Sequence, residues 1–162
     1  MNSTIDTLFQ AVHHIATRLR PHVLDDLGLI AAISWQTQEM CQRTGLAYTL
    51  LLPQTVTVDP ARATALFRIF QEALTNVVRH AEARQVIVHV VQLAGAILLE
   101  VTDDGKGFDP ACLSDRSLGL LSMHERARLW EGQVIITGQP GRGTIVTARL
   151  PSPPDATEAE AP

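Results

Sequence analysis

Only two cysteines occur in the sequence, Cys41 and Cys112, and neither belongs to a C-x-x-C pair. Isolated cysteines of this kind read as reduced, ordinary side chains rather than a disulfide framework or a metal ribbon. A long apolar run is also missing. No stretch approaches the roughly 20 residues that a membrane-spanning helix needs. The opening MNSTIDTLFQAVHH lacks the basic start and apolar run of a secretory signal. The expected location is therefore the cytoplasm, with any membrane anchor in a longer parent chain. A basic excess is absent too: 13 Lys and Arg stand against 17 Asp and Glu, a net charge of −4. That argues against a nucleic-acid platform, which usually carries a positive surplus. No internal repeat is visible. What is present is ample apolar material, 46% of 162 residues, enough for one ordinary domain with a real core.

The pattern along the chain mixes helices and strands. Residues 4 to 20 place Ile5, Leu8, Phe9, Val12, Ile15, Ala16 and Leu19 at three- and four-residue steps, a helical period that Pro21 ends. A second helix is expected over about Leu27 to Arg43, with Gly45 as its stop. LAYTLLLP reads as a strand closed by Pro53. Asp59-Pro60 is a helix start, an acid at the N-cap and proline in the first turn. The helix that follows runs to about Ala81, with Ala63, Leu66, Phe70, Ala73, Leu74, Val77 and Ala81 as its buried face. VIVHVVQL and AILLEVTD form a hairpin about Ala94-Gly95, and QVIITGQ and GTIVTARLP form another about Pro140 to Gly143. SLGLLSMHERARLWEG supplies a turn and a helix between them. The tail SPPDATEAEAP has the composition of a disordered segment. Antiparallel hairpins with no repeated βαβ unit predict an α+β two-layer sandwich, a mixed and mostly antiparallel sheet with its helices on one face.

Four pieces carry candidate chemistry. In QEALTNVVRHA, Glu72 and Asn76 are four residues apart and share a helix face, which Arg79 and His80 continue. A carboxylate, an amide oxygen and a cation in one stripe can hold Mg²⁺, position water and contact phosphate. By itself, the stripe fits better as a solvated face opposite the apolar one. In EVTDDGKGFD, a strand ends in acids and then two glycines. Asp103 could accept a hydrogen bond from an exocyclic amine such as that of adenine, and Gly105 and Gly107 allow close backbone approach. A plain Asp-Gly turn remains the alternative. Gly119 precedes a helix, whose free N–H groups attract phosphate, though any loop-to-helix junction looks the same. In GRGT, Gly141 and Gly143 read as a hairpin turn, with Thr144 placed to stand beside a base. GxxxxGK[ST], HExxH and GxSxG are all absent, and GKGFDP lacks the third glycine and βαβ context of a dinucleotide fingerprint.

The order of these pieces resembles the ATP-binding catalytic domain of sensor histidine kinases, in the GHKL superfamily. FQEALTNVVRHA is similar to the N box, DDGKG to the G1 box, SLGLLSMHERA to the G2 box, and GRGT to the closing GxGT motif. The short G1-to-G2 connection, the MxERA ending and LRPHVLDDLGLIAAI resemble the subfamily that phosphorylates LuxR-type response regulators. The resemblance covers about residues 15 to 151. It implies domain limits of 1–26 for the remnant of a dimerisation and phosphoacceptor hairpin, 27–151 for the catalytic domain and 152–162 for the tail.

By position, the resemblance implies ATP and Mg²⁺ as cofactors. Asn76 would hold the Mg²⁺ bridging the phosphates, and Glu72 would orient or activate a water or the acceptor. Arg79 and His80 would face the phosphates. Asp103 would bind adenine, backed by Thr144, with Gly105, Gly107 and Gly143 shaping the loops. Gly119 and Leu120 would line the triphosphate with their backbone. The sequence departs from the family at Ser117 and Ser122, which replace the outer glycines of the G2 box, and at His124, where the family has a basic residue. His13, His14 and His22 are not followed by an acid, so none matches the family's phosphoacceptor. The expectation is a protein histidine kinase fragment that binds Mg-ATP without labelling itself. Its expected partners are the acceptor helices of a dimeric parent and a response regulator. Two rival readings share the nucleotide fold: a nucleotide-responsive interaction module without transfer, and a serine kinase acting on an anti-anti-sigma partner.

Overall fold

A computed structural model describes residues 22–108 and 118–152 of the chain. The expected first helix, Pro21, His13, His14, Cys112, Ser117 and the acidic tail lie outside the described residues. The elements run in order as α1 (His22–Thr44), β1 (Ala47–Leu51), α2 (Pro60–Asn76), a π-helical turn (Val77–Ala81), β2 (Gln85–Leu93), β3 (Ala96–Asp103), α3 (Leu118–Arg128), β4 (Gln133–Gly138) and β5 (Thr144–Pro151). The five strands form one sheet in the order β1-β2-β3-β5-β4. Only β1 and β2 are parallel; the other three pairs are antiparallel. The parallel pair needs a long crossover, and α2 supplies it.

The helices lie on one face, as the pattern predicts. Helix α2 packs on β3 and β5 and is flanked by α1 and α3. Strand residues alternate inward and outward, so Val86, Val88 and Val90 on β2, Leu99 and Val101 on β3, and Val146, Ala148 and Leu150 on β5 share the core side. They meet Leu66, Phe67, Phe70 and Leu74 of α2. The Phe67 and Phe70 rings are tilted by 39° with centroids 5.8 Å apart, a favourable aromatic arrangement. All seven residues expected on the buried face of this helix are buried, but the buried arc is wider and also takes in Ala65, Phe67, Arg68 and Ile69.

Helix α2 begins as its sequence dictates. The Asp59 side chain accepts from the N–H groups of Ala61 at 3.1 Å and Arg62 at 3.0 Å, and Pro60 needs no partner there. Its end differs from expectation. The α-helix stops at Asn76, and Val77–Ala81 widen into a π turn closed by Glu82 in the left-handed region at φ 52°. A π turn carries an extra residue per turn, so Arg79 and His80 leave the register that an unbroken α-helix would give them. Helix α1 also differs. It starts earlier than expected and is interrupted at Gly28, whose φ of 81° and ψ of 175° are not helical. Gly45, at φ 71°, ends it as predicted.

Candidate functional site

Strand parity brings the first part of the site together. Leu99 and Val101 face the helices, so Asp103, two residues on, faces them as well. On β5 the same parity runs back from Ala148 through Val146 to Thr144. Thr102 pairs with Ile145, which sets Asp103 and Thr144 side by side where the two strands end. Asp103 is 6% exposed. Its Oδ1 accepts the Gly105 N–H at 2.8 Å. Burial raises its pKa above the ordinary value, while hydrogen bonds from Gly105 and Thr144 pull the other way and the nearby Asp104 charge adds to the rise. The carboxylate is thus a desolvated acceptor, held in place by Gly105 and Thr144.

The glycine loop after β3 is fastened rather than loose. Asp104 accepts the N–H groups of Arg84 and Gln85 through Oδ1, at 2.8 and 2.9 Å. Lys106 N–H donates to the Ala81 carbonyl at 2.7 Å, and Gly141 N–H donates to the Lys106 carbonyl at 2.7 Å. The glycines permit this closeness. A Cβ on Gly105 would collide with the Ala81 carbonyl, and one on Gly143 with the Asp103 carbonyl. Gly107 (φ 63°) fits against the backbone of Gln139 and Gly143 (φ 77°). The glycine loop, the π turn and the GRGT turn are therefore joined backbone to backbone.

Above them lies a cavity of about 740 Å³. Nine of the eleven expected site residues line it: Glu72, Asn76, Arg79, His80, Asp103, Gly107, Gly119, Leu120 and Thr144. Gly105 and Gly143 do not; they hold the loops together behind the lining. Val77, Val101, Ile136 and Val146 supply apolar wall near Asp103. The start of α3 covers the polar side of α2 so closely that a Cβ on Gly119 would strike the Glu72 carboxylate. Glu72 and Asn76 are accordingly half-buried in a cleft rather than spread on an open face. Arg79 and His80 are exposed at its edge. Lys106, also on the lining, bonds Glu82 Oε1 at 2.8 Å, and both side chains are well exposed.

Several lining residues carried no earlier signal. Arg68 sits one turn before Glu72 but amid residues that read as core. Phe108 comes from a segment whose character is unremarkable in sequence, and Glu125 and Arg126, read there only as part of the MxERA ending, also line the cavity. Among the described residues no group of three or more His, Cys, Asp or Glu side chains could hold a metal ion. A Mg²⁺ ion here would rest on the Asn76 amide oxygen and on phosphate oxygens, the usual sharing for this ion.

Comparisons with known proteins agree with this fold. Residues 61–154 match the model of the histidine kinase-, DNA gyrase B- and HSP90-like ATPases. Over 144 residues the chain is 38% identical to the sensor histidine kinase MctS of Rhizobium johnstonii, covering 86% of this chain and 31% of that protein. It is 33% identical over 147 residues to the histidine-protein kinase/phosphatase DegS of Brevibacillus brevis, covering 86% and 36%. The chain thus spans about a third of the length of these curated relatives. The fold is similar to the histidine kinase domain of a blue-light activated kinase from Erythrobacter litoralis, with TM-score 0.68, 22% identity, and 76% and 61% of the two chains covered. It is also similar to the histidine kinase AdeS of Acinetobacter baumannii, with TM-score 0.66, 15% identity, and 92% and 80% covered.

Proposed function

Because the chain belongs to the histidine kinase-, DNA gyrase B- and HSP90-like ATPase family, we propose that it binds Mg-ATP in the cavity between α2, the strand ends and α3. The γ-phosphate is donated to a histidine on a separate dimerisation helix of the parent protein, and passes from there to a response regulator. One observation carries the reading: a buried, desolvated carboxylate, Asp103, at the apolar end of a cavity whose other wall holds Glu72 and Asn76.

Each residue has a task in this scheme. Asp103 accepts the adenine amino group, and Val101, Ile136 and Val146 sandwich the ring. Thr144 keeps Asp103 oriented and backs the base. Asn76 gives its amide oxygen to Mg²⁺, which when bound neutralises phosphate charge and fixes its geometry. The backbone N–H groups of Gly119 and Leu120, in the first turn of α3, point at phosphate oxygens. Glu72, held under Gly119, orients the attacking group for in-line transfer. Residues 1–26 belong to the remnant of the dimerisation hairpin, and the catalytic domain runs over residues 27–151.

The test is titration with ATP, with and without Mg²⁺, for the natural chain and Asp103→Asn. The variant should lose at least about tenfold in affinity, the scale of a charge-assisted hydrogen bond in a dry site. Undiminished ATP binding by a folded Asp103→Asn chain would refute the adenine assignment. Adding an acceptor-bearing dimerisation domain should yield phosphohistidine. An acid-stable phosphoserine would favour the serine kinase reading, and no transfer at all the interaction module.

A further inference from the structure

Resting for its consequence on the nucleotide reading above, we propose that Arg62 and Trp130 are positioning residues: their cation–π stack pins the far end of α3 to α2 and so holds the turn at Gly119 over Glu72. Neither side chain lines the cavity. Arg62 lies in the first turn of α2, and Trp130 in the turn that follows α3. The guanidinium carbon of Arg62 stands 4.8 Å from the centroid of the Trp130 ring. That is inside the roughly 6 Å reach of this attraction, for which tryptophan is the best aromatic.

Both halves of the stack are fastened. Arg62 Nη1 donates to Asp59 Oδ2 at 2.6 Å, while Asp59 Oδ1 caps the helix that carries Arg62. Arg62 Nε is buried, and among the described residues it has no hydrogen-bond partner. A guanidinium that leaves a buried donor unsatisfied is held by something besides hydrogen bonds, and the ring is what faces it. Trp130 is fixed through backbone. Its N–H donates to the Ala127 carbonyl at 3.0 Å, and the Gly132 N–H donates to the same carbonyl at 2.9 Å. Glu131 between them is left-handed, at φ 56°. A Cβ on Gly132 would strike the Leu150 side chain and the Arg149 carbonyl, so this turn is seated on β5.

Helix α3 needs such a pin. Of its 11 residues, Met123 and Ala127 are the buried ones. Burial of so short a strip presses the helix down but sets its place along α2 weakly, because the hydrophobic effect is non-directional. The His124–Leu120 and Arg126–Ser122 hydrogen bonds stay inside the helix. Two contacts with α2 stand at opposite ends: Gly119 meets Glu72 at one, and Trp130 meets Arg62 at the other. The two helices therefore run antiparallel, and the stretches between the contacts match, each about 15–17 Å at roughly 1.5 Å per residue. The Gly119 end has no slack, since a Cβ there would already touch Glu72. A slide of about 1.5 Å, one residue's rise, opens or jams that contact. The stack at the far end stops the slide, and Gly119 and Leu120 keep their place on the cavity wall.

The experiment uses the full chain, first without and then with nucleotide, as the natural sequence, Trp130→Leu, Trp130→Phe, Arg62→Met and the double variant of Arg62→Met with Trp130→Leu. Leucine and methionine keep apolar bulk but remove the π face and the charge. Amide correlation spectra read the position of α3. Gly119 is about 16 Å from Trp130, too far for the ring itself to shift its signal, so a moved Gly119 or Leu120 resonance reports a moved helix. Trp130→Leu and Arg62→Met should move the same resonances in the same direction, and the double variant should add little to either. Trp130→Phe should move them less. ATP affinity with Mg²⁺ should fall roughly threefold to thirtyfold in Trp130→Leu, the span of a cation–π contact from exposed to desolvated, and Trp130→Phe should recover part of it. Adenosine, which needs the Asp103 end alone, should stay within about twofold. Circular dichroism melts identify any variant that fails to fold, and Arg62→Met, which leaves the ring in place, keeps the test decisive if Trp130→Leu does not. Unmoved Gly119 and Leu120 resonances in a folded variant overturn the inference and leave the ATP site intact. Fully additive effects of the two single changes overturn it too, because they deny the stack. Equal losses of ATP and adenosine mark a general structural role and also overturn it. If the natural chain bound neither ligand, the ATP reading would fail and the positioning role with it, while the spectra would still decide whether the stack holds α3.

Discussion

Gly141 and Gly143 offer a matched pair of substitutions. Both lie in the GRGT turn, at φ 75° and 77°. A Cβ on Gly141 would meet nothing within 4 Å, whereas one on Gly143 would collide with the Asp103 carbonyl oxygen. Gly→Ala therefore imposes the same left-handed strain at both sites, about 1–2 kcal/mol. The entropic gain from a stiffer unfolded chain, roughly 0.4–1 kcal/mol, is also common to both. What differs is the collision. Overpacking against backbone costs about 1–3 kcal/mol more, because a carbonyl in a strand end cannot swing aside as a side chain can. At about 4 °C per kcal/mol for a domain of this size, Gly143→Ala should melt roughly 4–12 °C below Gly141→Ala. Thermal denaturation followed by circular dichroism reads the difference directly. The two variants should also part in ligand binding. Gly143→Ala pushes on Asp103 and should weaken ATP even where the chain is folded, while Gly141→Ala should not. Equal melting temperatures and equal ATP affinities for the pair would show that the contact with Asp103 has no energetic weight.

Three further outcomes follow from single contacts. Protonation of Asp103 removes the acceptor for adenine, and its pKa lies above the ordinary 3.8. ATP affinity should therefore fall as pH drops from neutral, before a typical aspartate would titrate, and Asp103→Asn should be flat over that range; isothermal titration across pH checks both. The sign for stability is the opposite: above its raised pKa the charged Asp103 weakens the fold, and this penalty is lifted as pH falls. Gly119→Ala places a methyl against the Glu72 carboxylate, which can rotate away. Phosphotransfer to an added acceptor domain should drop far more than ATP binding, and parallel losses in a kinetic assay would contradict the role given to Glu72. Asp59→Asn keeps the N-cap acceptor but removes the charge that pairs with Arg62 and meets the helix N-terminus, a loss of about 0.3–1 kcal/mol at neutral pH. Burial pushes Asp59 up, but hydrogen bonds from Arg62 and Ala61 and the Arg62 charge leave it lowered from 3.8. Its stabilisation is present above the ordinary value and is lost as pH falls through the lowered one. Urea denaturation of the two chains should converge in acid, and a gap that persists unchanged would count against the linkage.

Much of the site was legible because strand parity and helix capping are local. Leu99 and Val101 alternate into the core, and the same count of two delivers Asp103 to the inner face without any knowledge of the partner strand. Val146 delivers Thr144 likewise. The Asp59-Pro60 start fixes where α2 begins, and hence which residues share a turn with Glu72. The break at Gly28 and the π turn at Val77–Ala81 were not visible. VVRHA carries no Gly or Pro to interrupt a helix, and the wider turn is set by where Ala81 must meet Gly105 and Lys106.

The polar stripe of α2 shows why the rest could not be read locally. Glu72 and Asn76 look like a solvated face because hydrophobic period reports only which side of a helix meets the main core. It is silent about a second cover. Here α3 supplies that cover, and the contact joins residues more than forty positions apart, Glu72 with Gly119. The glycines mislead in a related way. Gly105 and Gly143 suggest a loop yielding to a ligand, whereas their missing side chains first make room for other backbone, and the ligand cavity lies in front of the seam they form. Arg68 is the sharpest instance. In sequence it is one charge inside LFRIF, an interruption of a core face. In the fold it is 6% exposed and lines the cavity. The cavity lining is assembled from α2, α3 and residues of β3, β4 and β5, so no single segment of the chain could announce it.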